Sequence, residues 1–471
     1  MNAVIKIHFF GKLLLAFVMV LSIITPVSSE PEAKTVQRPN VILIVIDTLR
    51  ADHLGCYGYG RNTSPNIDRL ASQATLFSPA VTVYPRTIPS AASLFTGLYP
   101  HTHGIRSMYE ENIPGEFPLL SELLKKAGYQ TAAFINHGAV ARMIARGFDV
   151  CRFCEIDNMV SDGALSWMEM KREKDLPFFL LLWYLAPHWT YYPSIEEREM
   201  FDLAGKEPNL QKLIARGNDN PARPFTNIYT DKELKFLLKA YDAEIHFADR
   251  NLGRVVDYMT ERGLYDNSLI IVTSDHGESL GEHDYFFEHG EYYYDATTLV
   301  PLIIKRAGQK ERKKIEMNFR TIDIFPTILG ETGIDHSCEG EDIFRYLEEG
   351  PGNLVPLMAF GENDLNTLPG NPRRYIRGIA GKWRIVRTQQ WKLIYIPHPE
   401  KDIFEFYDLQ NDPSEEKNLI MIPTHQKKIK KFKEDLFKWI KKEDFRTVTE
   451  PSADRLSPAQ KETLKSLGYI K

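Results

Sequence analysis

Four runs of apolar sequence end in side chains that can bind a metal ion or move a proton. Asp47 follows Asn40–Ile46, and Asn136-His137 follows Tyr129–Ile135. His188 comes three residues after Pro177–Leu185, and Ser274-Asp275-His276 follows Ser268–Thr273. Carboxylates and imidazoles are the common protein ligands for divalent cations and the common acid–base groups. Any one of these histidines has an ordinary explanation as a packing or surface residue. Four separate runs ending the same way are harder to assign to packing. A further group stands in Thr87-Ile88-Pro89-Ser90, which leads through Ala91–Thr96 to Gly97. This reads as a loop and then a short helix, with Thr87 at or near the N-cap, Pro89 in the first turn and Gly97 at the stop. Thr87 then either caps the helix or acts as a nucleophile. A helix N-terminus presents free N–H groups to an anion, and a hydroxyl there attacks once a metal or base activates it.

Positioning these groups requires a sheet. The four runs are apolar on both faces and rich in β-branched residues, as buried parallel strands are. Helical patterns lie between them, at Leu119–Ala127 and Lys232–Arg262. Strand alternating with helix predicts an α/β fold with a large, mostly parallel sheet flanked by helices, and ligands bind off the carboxyl ends of such strands. Past Gly350-Pro351-Gly352 the pattern changes. Tyr375–Ile379, Trp383–Arg387, Trp391–Tyr395 and Phe404–Tyr407 read as short antiparallel strands, and Thr424–Lys442 as a basic amphipathic helix.

The chain has 471 residues, 43% hydrophobic and 26% charged, enough for a large core and too apolar for global disorder. A net charge of −5 gives no electrostatic reason for a nucleic-acid partner. Four cysteines exclude a disulfide-stapled scaffold, although Cys151-x-x-Cys154 could close a small loop. Residues 1–29 run basic, apolar, small, the pattern of an export signal. The expectation is therefore a periplasmic or secreted protein without stable membrane insertion once the signal is cut. An uncleaved N-terminal anchor is the other reading, although the apolar run is shorter than the roughly 20 residues of a spanning helix.

The ordered set Asp47-Thr48-Leu49-Arg50, Ser64-Pro65-Asn66, Thr87-Ile88-Pro89-Ser90, Pro100-His101-Thr102-His103-Gly104, Ser274-Asp275-His276-Gly277, Trp391-Lys392-Leu393 and Tyr407-Asp408-Leu409 resembles the sulfatase family of the alkaline phosphatase superfamily. The resemblance covers about residues 39–420 and resumes at Leu467-Gly468-Tyr469. It implies a sulfatase-like α/β domain with a small C-terminal sheet-plus-helix domain. The corresponding boundaries are 1–29 signal, 30–38 linker, 39–349 catalytic domain, 350–447 small domain and 448–471 tail.

Departures from the family pattern carry as much weight as the matches. Typical sulfatases have Cys or Ser, oxidised to formylglycine, where this chain has Thr87, and Arg where it has Ala91. The methyl on Cβ of Thr87 bars formylglycine. Thr nucleophiles in the wider superfamily act on phosphorus. One carboxylate of the usual first-strand pair is missing, since Thr48 follows Asp47. The resemblance thus implies one divalent metal held by Asp47, Thr87, Asp275 and His276. Zinc or manganese suits this set better than calcium, which prefers more oxygens. Thr87, His188 and His289 are the candidate catalytic groups, and His289 lies near the position of a substrate-binding Lys in the family. Asn136, His137 and His283 are candidates for substrate contact.

The expected activity is hydrolysis of a small-molecule or glycan sulfate or phosphate ester. The alternatives are a phosphodiesterase or phosphotransferase of the same superfamily, or a binding protein on an inactive sulfatase fold. Asp242-x-x-x-His246 on one helix face could bind a second metal, or belong to an ordinary polar face. Trp189, Tyr191, Tyr192 and Phe225 either line a substrate entrance or pack over the sheet edge.

Overall fold

The computed structural model describes residues 38–108, 110, 112–208, 228–349, 357–363, 383–397 and 401–441. The export signal, the linker up to residue 37, Phe225, the junction at 350–356, the strand expected at Tyr375–Ile379 and the tail all lie outside the described residues. Among the described residues no helix is long and apolar enough to cross a membrane.

Eight strands make the main sheet: β1 (Asn40–Ile46), β2 (Thr75–Phe77), β3 (Gln130–Ile135), β4 (Val150–Phe153), β5 (Phe178–Tyr184), β6 (Ser268–Thr273), β7 (Leu302–Lys305) and β8 (Lys313–Ile315). Their order is β8-β2-β7-β6-β1-β5-β3-β4. β6, β1, β5, β3 and β4 run parallel, whereas β7 is antiparallel to both neighbours. The four apolar runs read from the sequence are β1, β3, β5 and β6, which lie side by side at the centre. Each is covered on both faces, so hydrophobic residues occupy every position instead of alternating with polar ones.

Alternation along β1 sorts the core into two layers. Ile42, Ile44 and Ile46 pack with Leu180, Leu182 and the long helix Asp231–Glu261 through Leu237, Tyr241, Ile245 and Met259. Val41, Leu43 and Val45 pack on the other face with Leu181, Trp183 and helix Thr87–Thr96 through Ile88 and Phe95. The long helix begins at a capping box, Thr230 with Glu233, one residue earlier than the sequence reading placed its start. The helix Thr87–Thr96 stops at Gly97, whose φ of 67° is a left-handed conformation that glycine adopts without penalty.

Lys313 and Lys314 belong to edge strand β8, in keeping with the use of lysine on exposed edges. One expectation changes. The four cysteines are free. Cys154 packs into the layer on one side of the sheet and Cys151 against the layer on the other. Residues three apart across an extended strand point to opposite faces, so the short spacing does not bring the sulfurs together.

The small sheet is antiparallel, with β9 (Ala359–Glu362), β10 (Arg384–Arg387), β11 (Trp391–Ile396) and β12 (Ile403–Asp408) in sequential order. Its first strand is Ala359–Glu362, which the sequence reading did not pick out. Helix Gln426–Ile440 buries Ile429, Phe432, Leu436 and Trp439 against it. A buried ion cluster ties this sheet to the loop before β7. Lys392 Nζ lies 2.9 Å from Asp295 Oδ1 and 2.7 Å from Glu415 Oε1, and Arg387 pairs with Asp295 at 2.9 Å. Burial raises the Asp295 carboxyl, but Arg387 and then Lys392 outweigh it and hold Asp295 below its usual range.

Lys392→Met is expected to leave Asp295 and Glu415 undercompensated and to cost about 3–5 kcal/mol, read as a lower denaturant midpoint at unchanged m. A midpoint within error of wild type would show that the cluster does not clasp the sheets. A second expectation concerns Glu244 on the long helix. Burial, then the Asp157 charge, pushes its carboxyl up to about 8. Its folded value exceeds its unfolded one, so the folded state binds the extra proton. The associated stability is full below the unfolded value and lost as pH rises through about 8. Glu244→Gln keeps an acceptor for the Tyr192 N–H, now at 2.8 Å from Oε1. The variant should gain stability relative to wild type from pH 5 to pH 9; a flat difference in unfolding temperature would rule this out.

Candidate active site

The carboxyl ends of β1, β5, β3 and β6 lie along one edge of the sheet, and the candidate residues follow them. Asp47 N–H donates to Tyr184 O at 2.9 Å, extending the β1–β5 ladder by one residue. Thr48 then turns into a left-handed conformation at φ 55°, which is strained for a β-branched residue. Its neighbours hold it there: Tyr241 OH donates to Thr48 O at 2.8 Å, and Thr48 N–H donates to Asp275 Oδ1 at 3.3 Å. At the end of β6, the Ser274 hydroxyl donates to His276 O at 2.7 Å, and the Ser90 hydroxyl donates to Asp275 O at 2.7 Å. Ser90 thereby docks the first turn of helix Thr87–Thr96 on the strand end that carries Asp275.

Asp47, Asp275 and His276 are fully buried, and their ligand atoms lie within 4.8 Å of one another. His276 Nδ1 faces Gly277 O at 3.0 Å, so that nitrogen carries the proton and Nε2 presents a lone pair. Nε2 is 3.3 Å from Asp275 Oδ2 and 3.9 Å from Asp47 Oδ1. Those two oxygens are buried and accept no hydrogen bond. Burial, followed by the Asp275 charge, holds the Asp47 carboxyl well above its usual range, and burial pushes Asp275 up to about 7. Burial also keeps His276 well below the ordinary imidazole range, and therefore neutral. Two orphaned carboxylate oxygens and one imidazole lone pair converging in a dry space are a donor set that fits a divalent cation. Among the described residues it is the one such group.

Thr87 is the first residue of its helix and Arg86 is the N-cap, one position away from the simplest sequence reading. The Thr87 hydroxyl is fully buried and 3.1 Å from His276 Nε2. It thus adjoins the ligand trio instead of capping the helix.

Three more histidines gather nearby. His289 rings lie 4.2 Å from His276 and 5.2 Å from His188, centroid to centroid. His289 Nδ1 faces Glu278 Oε1 at 3.1 Å, and His188 Nδ1 donates to Trp189 O at 2.6 Å. His137 caps a short helix, accepting at Nδ1 from Val140 N–H at 3.3 Å. Its proton must therefore sit on Nε2, which is buried with no partner. Burial, then the His188 charge, pushes the His137 imidazole down to about 3. His137 is consequently a neutral N–H donor.

Asn136 and His283 have other contacts. Asn136 Nδ2 donates to Asp157 Oδ1 at 2.8 Å. The same carboxylate accepts from Leu185 N–H at 2.8 Å and Ala186 N–H at 3.0 Å. Asp157 thus joins the ends of β3 and β5 directly before His137 and His188, and Asn136 helps to hold that joint. His283 stacks on Tyr294 at 3.5 Å and its Nε2 faces Ser414 O at 3.1 Å, toward the small sheet. Asp242 and His246 serve separate networks. Asp242 takes His53 at 2.7 Å, Tyr59 at 2.8 Å and Arg61, while His246 faces Glu197 at 3.6 Å. Tyr191 is core, Tyr192 is exposed, and Trp189 stacks on Phe287 at 5.6 Å.

Sequence reasoning passed over Arg86, Asp157 and Glu278. Arg86 adjoins Thr87 and Glu278 lies two residues beyond His276, so proximity to the selected residues was an available signal. Asp157 had none, because its partners come from β3 and β5.

The sulfatase family description matches residues 39–334, and a second, "N-sulphoglucosamine sulphohydrolase, C-terminal", matches residues 378–442. The chain belongs to the sulfatase family, within the alkaline phosphatase superfamily. It is 26% identical to an ulvan-active sulfatase of Formosa agariphila over 85% of this chain and 81% of that protein. A solved structure in complex with its substrate D-glucosamine-2-N,6-O-disulfate aligns with TM-score 0.71 at 20% identity, covering 86% of this chain and 98% of that one. A phosphonate monoester hydrolase of Agrobacterium radiobacter aligns with TM-score 0.67 at 20% identity, covering 88% and 98%. This sulfatase-family chain is a sulfatase-like ester hydrolase, cleaving a sulfate or phosphate ester.

Proposed function

We propose that the protein is an exported hydrolase that cleaves an anionic ester of a small molecule or sugar through Thr87 itself, with one divalent metal at Asp47, Asp275 and His276. The carrying observation is the buried Thr87 hydroxyl 3.1 Å from His276 Nε2, beside two orphaned carboxylate oxygens. Fewer carboxylates plus an imidazole favour zinc or manganese. When bound, the metal lowers the pKa of the Thr87 hydroxyl and screens the charge of the attacked ester. The N-terminus of the helix adds partial positive charge at the same point.

In the reaction, Thr87 Oγ forms a bond to the central sulfur or phosphorus, and the bond to the leaving oxygen breaks. The Thr87 proton passes to an imidazole of the histidine cluster, for which His188 and His289 are the candidates, and from there to the departing oxygen. His137 Nε2–H is the candidate donor to a non-bridging oxygen. Water then attacks the Thr87 ester, releases the inorganic acid and restores the hydroxyl. Unmodified threonine lacks the aldehyde-hydrate route for expelling sulfate, so chemistry favours phosphorus. The sulfated sugar bound to one structural neighbour supports sugar esters as the alternative.

Thr87→Ala should lower kcat by about 10³-fold or more, while Thr87→Ser keeps part of the activity. Mass spectrometry of quenched turnovers should find the adduct on the Thr87 peptide, and full activity in Thr87→Ala would reject the mechanism. A panel of aryl sulfate, sulfated sugar, phosphate monoester, phosphodiester and phosphonate monoester distinguishes the substrate classes. Faster turnover of sulfates than of all phosphorus esters would overturn the preference for phosphorus. Elemental analysis should find about one zinc or manganese ion per chain, lost in Asp275→Ala together with part of the thermal stability. Undiminished metal content in that variant would move the site elsewhere.

A further inference from the structure

Helix Thr87–Thr96 carries no charged side chain of its own. Ala91, one turn after Thr87, is packed into the core. Arg86, the residue directly before Thr87, is different. A guanidinium stays protonated at any working pH, and Arg86 is only 3% exposed.

Two contacts fix where that charge sits. Arg86 Nη2 donates to Glu291 Oε1 at 2.9 Å, and the other Glu291 oxygen accepts from Tyr285 OH. The Nε side lies against Gly290, where a Cβ would come within 2.1 Å of Nε. Gly290 also has φ 97°, so glycine is required there twice over. The guanidinium of the residue before Thr87 is thus held against Glu291 and Gly290, the chain neighbour of His289. His289, next in the chain to Gly290, has its ring 4.2 Å from that of His276, centroid to centroid.

We propose that Arg86 is an oxyanion-binding residue of this site, its guanidinium taking the non-bridging oxygens of the sulfuryl or phosphoryl group that Thr87 attacks. This rests on the ester-hydrolase reading above. A planar fork of five N–H donors suits a tetrahedral oxyanion, with Glu291 engaging one edge and holding the plane. The buried ion pair with Glu291 limits the group's freedom, so the donors are oriented before substrate arrives. The same residue explains how a site lined by Asp47, Asp275 and Glu278 can admit an anion.

The test uses the metal-loaded full chain, with inorganic sulfate and inorganic phosphate as probes in calorimetric titrations, and KM and kcat measured on the best ester of the panel. Arg86→Lys keeps the charge but loses the fork; it should weaken binding of the preferred oxyanion and raise KM by about tenfold. Arg86→Met combined with Glu291→Met removes the ion pair as a unit, leaving no uncompensated buried carboxylate. This double variant should fold with its metal content intact yet bind the probe about 100-fold more weakly. A folded, metal-loaded double variant that binds the probes like wild type would overturn the proposal, leaving Arg86 as a counter-ion for Glu291 alone. A wild-type chain that binds neither anion and hydrolyses no member of the panel would instead overturn the ester-hydrolase reading, and this proposal with it.

Discussion

Two carboxylates forced together without water set the terms for this protein. Asp47 and Asp275 stand at the ends of adjacent central strands, fully buried, each with one oxygen that nothing in the protein satisfies. Like charges in a dry site repel, and burial raises the cost of ionising either one. A divalent cation between them would answer both difficulties, and His276, whose Nδ1–H donates to Gly277 O, would present Nε2 as the third ligand atom. The surrounding structure keeps these groups from relaxing apart. β1 and β6 are hydrogen-bonded neighbours, Thr48 is held in a strained turn, and Ser90 fastens the helix of Thr87 to the backbone of Asp275.

The rest of the edge follows one electrostatic logic. Burial drives His137, His276 and His289 toward neutrality, so tautomer and not charge distinguishes them. His137 is fixed as a donor at Nε2 by the helix it caps, and His188 turns its Nδ1–H to the carbonyl of Trp189. Asp157 sets the spacing of the two loops from below, through Asn136, Leu185 and Ala186. Arg86, the residue before Thr87, is buried and paired with Glu291.

Distance from the edge marks a change in what polar residues do. Asp242 and the quartet of Asp295, Arg387, Lys392 and Glu415 are buried as well, but arginine or lysine pairs with their carboxylates across secondary-structure boundaries. Asp242 joins its helix to a loop, and the quartet joins the small sheet to the short helix Asp295–Thr298. Among the described residues, Asp47 and Asp275 pair with no lysine or arginine and have the His276 imidazole beside them.

The central strands, the long helix and the positions of Asp47, Thr87, His137, His188, Asp275 and His276 could all be read from local sequence. A buried parallel strand needs a continuous apolar run, and the residue that ends the run must lie at the strand's carboxyl edge. The family resemblance rested on the same short motifs. What local sequence could not decide was how residues far apart in the chain would pair. Cys151 and Cys154 are three residues apart yet on opposite faces of a sheet. Asn136 looked available for substrate until Asp157, 21 residues later, took its amide. His283 turned to Tyr294 and Ser414, and Asp242 and His246 parted into separate networks although they share a helix face. Arg86 looked like a loop residue until Glu291 and Gly290, about 200 residues on, closed around it. Periodicity and strand ends are properties of neighbouring residues. Which polar atom satisfies another, and which is left open for a ligand, depends on contacts that exist only after the chain has folded.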